Sequence, residues 1–387
     1  MRLEHQIKAF ELILNSYDGA LPLHRFLVGH FKKYKQMGSS DRRWASRYIY
    51  SFYRLGKALP AENTLQRLAV ADFLCNNISS LMIEAYLPHL AEQVELPVPA
   101  KLALVGDLYP AFHLEDVFPF FGLLSGEIDK EAFLQSFFIQ PDLFIRIQQN
   151  QSLGILNALK EANIAVHDID EKTFGLPNGT KLEQVLPNQG SYQVQDLSSQ
   201  KTGAFFQPQK YDYWWDCCAA SGGKSLLLHD LEPKIELLVS DVRENSLRNL
   251  EERFQMAGLK KYQKKVLDLL QNNDQELHHY AFDGIILDAP CSGSGTWGRT
   301  PEMLTTFEEH KIAYFNKLQK SIAAGVVKYL KEGKPLIYIT CSVFRQENED
   351  VVDYLQKELG LSLERMEVIK GYQDKADTMF AARLIKN

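Results

Sequence analysis

From about Gln207 onward, short β-rich runs alternate with longer helical ones, and this alternation narrows the fold more than any other feature of the chain. The expected strands are Tyr211 to Cys217, Ile235 to Ser240, Lys265 to Leu267, Phe282 to Leu287 and Leu336 to Thr340. Helical patterning falls between them at Ser225 to Asp230, Asn245 to Ala257 and Phe307 to Tyr329. Strands separated by helices are joined by crossovers rather than hairpins, so the pattern predicts an α/β fold with a doubly wound, mainly parallel sheet. In such sheets ligands bind outside the carboxyl ends of the strands, which makes those ends the place to look for a site.

The first part of the chain is of a different kind. Apolar residues recur at helical spacing through Leu3, Ile7, Phe10 and Leu14 and again through Trp44, Ile49, Phe52 and Leu55, with Ser39-Ser40-Asp41 as the expected cap of the second run. Helical patterning continues from Asn63 to Leu90 and on towards Leu134, with no strand-like alternation. Gln140-Pro141 breaks it, and a short piece follows with strands at Asp142 to Ile147 and Ile164 to His167 around a helix at Ser152 to Ala162, punctuated by turns at Asn178-Gly179 and Asn188-Gln189-Gly190. The 387 residues exceed what one core usually organises. The expected domains are a helical one over 1–135, a small α/β connecting one over 136–206 and the doubly wound one over 207–387.

Charge is divided along the same line. The whole chain carries −6, yet residues 1–60 hold eleven Lys and Arg against four acids, a local surplus of seven, which leaves −13 on the remainder. A basic module on an acidic body is the asymmetry expected when one part meets a polyanion. With 24% charged and 45% hydrophobic residues the chain is neither disordered nor membrane-spanning, so a cytoplasmic, monomeric protein is expected. Five cysteines form no disulfide framework and no zinc spacing, so no metal is expected and each cysteine is read as a thiol.

Polar and reactive side chains collect at the strand ends: Asp216 and Cys218 at the first, Asp241 at the second, Asp268 just past the third, Asp288 at the fourth and Cys341 at the fifth. One such Asp reads as a helix cap or solvated loop residue; five strand ends in register do not. The turn Cys218-Ala219-Ala220-Ser221-Gly222-Gly223-Lys224-Ser225 enters a helix, so its backbone N–H groups can approach a ligand. It lacks the GxGxxG dinucleotide pattern. It ends like a P-loop but carries Cys218 where that loop needs its first glycine, so a nucleoside triphosphatase is a weaker reading. An adenosine-type ligand without a triphosphate remains, with Asp241, eighteen residues past Gly223, placed to accept ribose hydroxyls. S-adenosylmethionine fits that description. Cys291 and Cys341 sit at loop mouths beside polar residues, whereas Cys217 and Cys75 read as core.

Cys218 to Lys224, Asp288 to Cys291 and Thr340 to Ser342 resemble the CAAPGGK, DAPCSG and TCS motifs of the RNA cytosine-C5 methyltransferases of the Sun/Fmu/RsmB type. Residues 194–199, 299–302, 346–349 and 377–384 are similar to the family's secondary motifs, so the resemblance runs from about Gln140 to the C-terminus. It implies a Rossmann-like methyltransferase domain, S-adenosylmethionine as cofactor held by Cys218 to Lys224 with Asp241, Asp268 and Asp288, and RNA, ribosomal RNA first, as partner. Residues 40–54 look like the NusB-like RNA-binding module that precedes the catalytic part in bacterial ribosomal RNA members. One departure stands out: the proline of the first motif is Ser221 here, which relaxes the turn.

Cytosine C5 accepts a methyl group only after the ring's aromaticity is broken, and a thiolate adding to C6 does this. The resemblance gives that role to Cys341. Lys224 is the candidate cation beside it, Asp288 the partner for the N3/N4 edge, and Cys291 the group that assists release after methylation. A transfer-RNA cytosine methyltransferase shares all these residues, and an RNA-binding assembly factor that has kept the fold is the reading from another class.

Overall fold

The computed structural model describes residues 3–148, 151–186 and 189–387, with the side chain of Gln189 excepted; Asn188, part of one expected turn, lies outside them. The chain divides into two compact units. One comprises Met1–Gly122, Asp129–Gln140 and Thr296–Glu308; the other comprises Leu123–Ile128, Pro141–Gly295 and Glu309–Asn387.

The first unit is all helical over its described residues, with helices at Leu3–Ser16, Leu23–Lys33, Ser39–Arg54, Thr64–Cys75, Leu81–Tyr86, Val98–Leu108, Lys130–Ser136 and Met303–Thr306 and 3-10 turns between them. Polar side chains start three of them: Asn63 Oδ1 accepts from the N–H groups of Leu65 and Gln66, Ser80 Oγ from Ile83 and Asp129 Oδ1 from Ala132. The cap of the Ser39–Arg54 helix is one residue earlier than expected. Gly38 occupies it, and Asp41 accepts the Gly38 N–H at 2.9 Å from the helix's first turn. Two of the eleven basic residues of the first sixty are not surface cations. Arg54 is 3% exposed and donates to the carbonyls of Phe137, Ile139 and Gly298, and Arg47 pairs with the fully buried Asp72 at 2.7 Å. Lys8, Arg25, Lys32, Lys33, Lys35, Arg43 and Lys57 remain exposed.

The second unit holds two sheets. The smaller consists of β1 (Leu143–Ile147), β2 (His167–Asp170), β3 (Thr173–Leu176) and β4 (Tyr192–Val194), all antiparallel, in the order β2-β3-β1-β4. The strand expected at Ile164 to His167 thus begins only at its last residue. The turn at Asn178-Gly179 is present, with Gly179 at φ +83°. The larger sheet contains β5 (Tyr213–Asp216), β6 (Glu236–Asp241), β7 (Gln263–Val266), β8 (Gly284–Asp288), β9 (Pro335–Thr340), β10 (Leu361–Ile369) and β11 (Met379–Lys386) in the order β10-β11-β9-β8-β5-β6-β7. β5 to β9 pair in parallel, so the doubly wound reading holds. The helices at Gly223–Leu231, Glu244–Ala257 and His310–Val327 provide crossovers.

The sheet also carries an antiparallel hairpin that the alternation did not predict: β11 pairs with β9, Phe380 opposite Thr340, and β10 with β11. β11 reads Met-Phe-Ala-Ala-Arg-Leu-Ile-Lys, a short apolar run whose periodicity does not separate strand from helix. Chain order reverses between β5 and β8, so the crevice at the topological switch lies between the ends of those two strands, at Asp216 and Asp288. At the opposite, amino ends of the same two strands the packing is close: a Cβ on Gly284 would stand 2.5 Å from the Trp214 ring.

Candidate active site

Three loops leave the carboxyl edge of the large sheet next to this crevice. The first follows β5 and carries the glycine turn. Ala220 and Gly222 have φ of +46° and +80°, and a Cβ at Gly222 would meet Phe254 at 2.5 Å, so that position admits only glycine. Gly222 begins the Gly223–Leu231 helix. Asp241, at the end of β6, is 6% exposed; one of its oxygens accepts the Ala220 N–H at 3.0 Å and the other accepts Arg243 N–H at 2.8 Å. Gln195 reaches the Gly223 carbonyl, and Arg253 donates to the hydroxyl of Ser221 at 2.9 Å and to its carbonyl at 3.2 Å. Asp268 behaves differently from the other strand-end acids. It is exposed, and its carboxylate accepts the N–H of Leu270, two residues on, closing its own turn.

At the crevice itself, Lys224 Nζ donates to Asp288 at 3.0 Å, with the lysine 7% exposed. Asp216 is fully buried. Ser225 donates to one of its oxygens at 2.6 Å, and the other has no hydrogen-bond partner among the described residues. Burial pushes this carboxyl up to about 7 against the pull of Ser225, and Asp288 and Asp241 add to the rise. Sequence reasoning placed Asp216 at a strand end but assigned it nothing; its burial is the signal, and burial is not a local property. Three carboxyl groups around one lysine that is already paired suit a cationic ligand and repel a triphosphate. That donor set, with the N–H groups of a glycine turn, fits S-adenosylmethionine, whose sulfonium and ammonium are both positive.

The other two loops carry the reactive cysteines. Cys291, three residues after β8 ends, and Cys341, directly after β9, have their sulfurs 3.3 Å apart, and both are partly exposed. The neighbouring Cys341 thiol, burial and the Glu347 carboxylate push the Cys291 thiol well above the ordinary thiol range. The loops are fastened to each other: Gly295 N–H donates to the Cys341 carbonyl at 2.8 Å, and a Cβ at Gly295 would lie 1.9 Å from the Thr378 carbonyl oxygen. Cys217 is buried, its thiol donating to the Ile286 carbonyl, as expected of a core residue; Cys75 is only half-buried, and so is Cys218.

Beneath the thiols lies a network that the strand-end reading missed. Glu347 is fully buried and accepts from Ser292 N–H at 2.9 Å, Gln319 Nε2 at 2.9 Å and Ser342 Oγ at 2.8 Å. Ser292 follows Cys291 and Ser342 follows Cys341, so one carboxylate holds both cysteine loops. Asn348 accepts from Thr340 Oγ1 at 2.6 Å and donates to the Ser342 carbonyl and to Ser125 Oγ, and Ser294 Oγ accepts the Val343 N–H. Glu347 and Asn348 fall within the Gln346 to Glu349 motif, which was the available signal. Among the described residues, no three His, Cys, Asp or Glu are grouped to hold a metal ion, and no helix is long and apolar enough to cross a membrane.

Residues 204–385 match the family model described as 16S rRNA methyltransferase RsmB/F. The chain is 29% identical over 276 residues to the ribosomal RNA small subunit methyltransferase B of Enterobacter sp. (strain 638), covering 66% of this chain and 62% of that one. Over 164 residues it is 35% identical to the protein of the same name from Shewanella oneidensis, covering 42% and 38%. It therefore spans less than two thirds of these relatives' length, 62% of the first and 38% of the second. Among solved structures, the crystal structure of PH0851 has the same overall fold, with a TM-score of 0.71 at 19% identity over 100% of both chains.

Proposed function

Starting from residues 204–385 as a methyltransferase domain of the RsmB/F type, we propose that the chain methylates C5 of a cytidine in RNA, ribosomal RNA of the small subunit first, with S-adenosylmethionine as donor. The observation that carries this reading is the pair of sulfurs 3.3 Å apart beside the Lys224–Asp288 pair. When bound, S-adenosylmethionine supplies a methyl group activated by its sulfonium; Cys218 to Lys224, Asp216 and Asp241 form its binding edge, with Asp268 at the rim.

Cys341 is the nucleophile. Its thiolate bonds to C6, the ring loses its aromaticity and C5 becomes an enamine carbon able to take the methyl group. The neighbouring thiol, burial and the Glu347 carboxylate hold Cys291 well above the ordinary thiol range, so it is the poorer nucleophile of the pair. Lys224 holds Asp288 in place, and Asp288 hydrogen-bonds the N3/N4 edge of the base as charge shifts towards it. Once C5 carries its methyl group, water takes the C5 proton, the freed electron pair restores the C5–C6 double bond and the Cys341–C6 bond breaks to return the Cys341 thiolate, an elimination that Cys291 is placed to assist. The base must leave its stack to meet the sulfurs, so looped or single-stranded RNA is the substrate form. The exposed cations Lys32, Lys33, Lys35 and Arg43 contact phosphates.

The test is incubation of the full chain with S-adenosylmethionine and unmodified small-subunit ribosomal RNA, followed by bisulfite sequencing. A single protected cytidine is expected. Methylation of transfer RNA alone would move the substrate assignment, and no protected cytidine in either RNA would remove the activity.

A further inference from the structure

The cofactor turn is an unusual stretch of backbone to leave unsupported. Ala220 is a non-glycine residue at φ +46°, a region that side chains disfavour, and Gly222 two residues later is at φ +80°. Ser221 stands between them on the negative side of φ, where its side chain gives no conformational restriction. Asp241 secures the turn at the Ala220 N–H. What secures Ser221 comes from elsewhere: Arg253, on the Glu244–Ala257 helix, sends one guanidinium nitrogen to the Ser221 hydroxyl and carbonyl, and the other to the Gln193 side chain at 3.2 Å and the Val194 carbonyl at 3.4 Å on β4.

Four acceptors on one planar fork fix the turn against two elements that are remote in sequence. A fork of this kind holds direction as well as distance, which an ammonium would not. Gln195, next along from Val194, extends the support by donating to the Gly223 carbonyl, and is itself held by Arg146 Nε at 2.9 Å.

We propose that Arg253 is a positioning residue for the cofactor turn, holding Ser221 by hydrogen bonds in the conformation that a rigid ring at this position would impose covalently. The proposal rests on the reading of this turn as the S-adenosylmethionine site. Arg253 acts through the turn and not through the ligand, so its contribution disappears when the turn is made rigid by other means. Proline at 221 does this, since it fixes φ near −65° without a side-chain hydrogen bond.

The experiment is a double-mutant cycle read by titration calorimetry with S-adenosylmethionine, on the full chain, for the unsubstituted protein, Arg253→Ala, Ser221→Pro and the double variant. Arg253→Ala should raise Kd about tenfold, and Arg253→Lys, a milder variant if the alanine folds poorly, should raise it in the same direction. With the Ser221→Pro protein taken as its own reference, adding Arg253→Ala should raise Kd by less than about twofold, a non-additivity that a merely structural arginine would not produce. An unchanged Kd in both arginine variants overturns the proposal, as does an equal loss with serine and with proline at 221. Amide exchange of Ala219 to Gly223, measured without ligand, separates this from failure of the cofactor reading. Faster exchange in Arg253→Ala that returns towards normal in the double variant supports the strap even if S-adenosylmethionine does not bind, and unaltered exchange refutes it.

Discussion

The cysteine loops and the cofactor turn leave the same sheet edge, yet they are held by different means. Cys291 and Cys341 are fixed from beneath by a buried carboxylate and hydroxyl network centred on Glu347, with no exposed member among its hydrogen bonds to Ser292, Gln319 and Ser342. The turn at Ala220 to Gly223 is held from its flanks, by Asp241 on one side and the half-buried Arg253 on the other. The difference matches the work proposed for each. A covalent attack depends on a sulfur position held to fractions of an ångström, and a buried network of several mutual hydrogen bonds has few alternatives open to it. A reversible ligand must enter and leave, and a turn strapped on one side by the half-buried Arg253 leaves room for that.

The largest effect that sharpens the contrast lies within the cysteine pair. Cys341→Ala should abolish methyl transfer and give no RNA adduct on a denaturing gel, whereas Cys291→Ala should trap one, because attack survives and release does not. An adduct with Cys341→Ala and none with Cys291→Ala would reverse the two roles. Glu347→Ala comes next. It strands donors from both loops, at about 1–3 kcal/mol for each buried group left without a partner, so the melting temperature should fall by at least about 5 °C and adduct yield should fall with both cysteines still present. A melting temperature unchanged within error would break the claim that the network holds the loops.

On the cofactor side the effect should be smaller and confined to binding. Asp241→Ala should weaken S-adenosylmethionine by about 1.5–3 kcal/mol in calorimetry, with little loss of thermal stability, through the lost acceptor for the ligand and for Ala220 N–H. If it destabilises the fold as much as Glu347→Ala does, the two loops are not held differently. The smallest expected effect is a pH slope. The Asp216 carboxyl, ordinarily near 3.8, is pushed up to about 7 by burial, so the folded chain binds its proton more tightly than the unfolded chain. Its contribution to stability is therefore fully present below about pH 4 and is lost as pH rises through about 7. Denaturant titrations across that window should show a shallower decline for Asp216→Asn than for the unsubstituted protein; parallel curves would show that Asp216 does not titrate there.

What could be read from the chain alone was whatever repeats or sits locally. The alternation beyond Gln207 predicts the five parallel strands, and Asp216, Asp241, Asp288 and Cys341 do stand at their ends or directly after them. The small residues at 219–223 mark a turn, and at Gly222 the left-handed backbone and the close approach of Phe254 exclude a side chain. Arg54 and Arg47 show the limit of the same approach: they count as cations in the sequence and are spent inside the helical unit on carbonyls and on Asp72.

Only the tertiary structure decided which distant residues meet. The sulfurs of Cys291 and Cys341 are 50 positions apart in the chain, Glu347 reaches 55 positions to Ser292, and Arg253 reaches 32 positions to Ser221 and 60 to Gln193. No hydrophobic period encodes such pairings, because period reports only which face of one element is buried. The β10–β11 hairpin was hidden for the same reason, since a short apolar run becomes a strand when β9 offers it an unpaired edge. The residues of the chemistry are therefore local features of the sequence, and the distances that would make them react are products of packing.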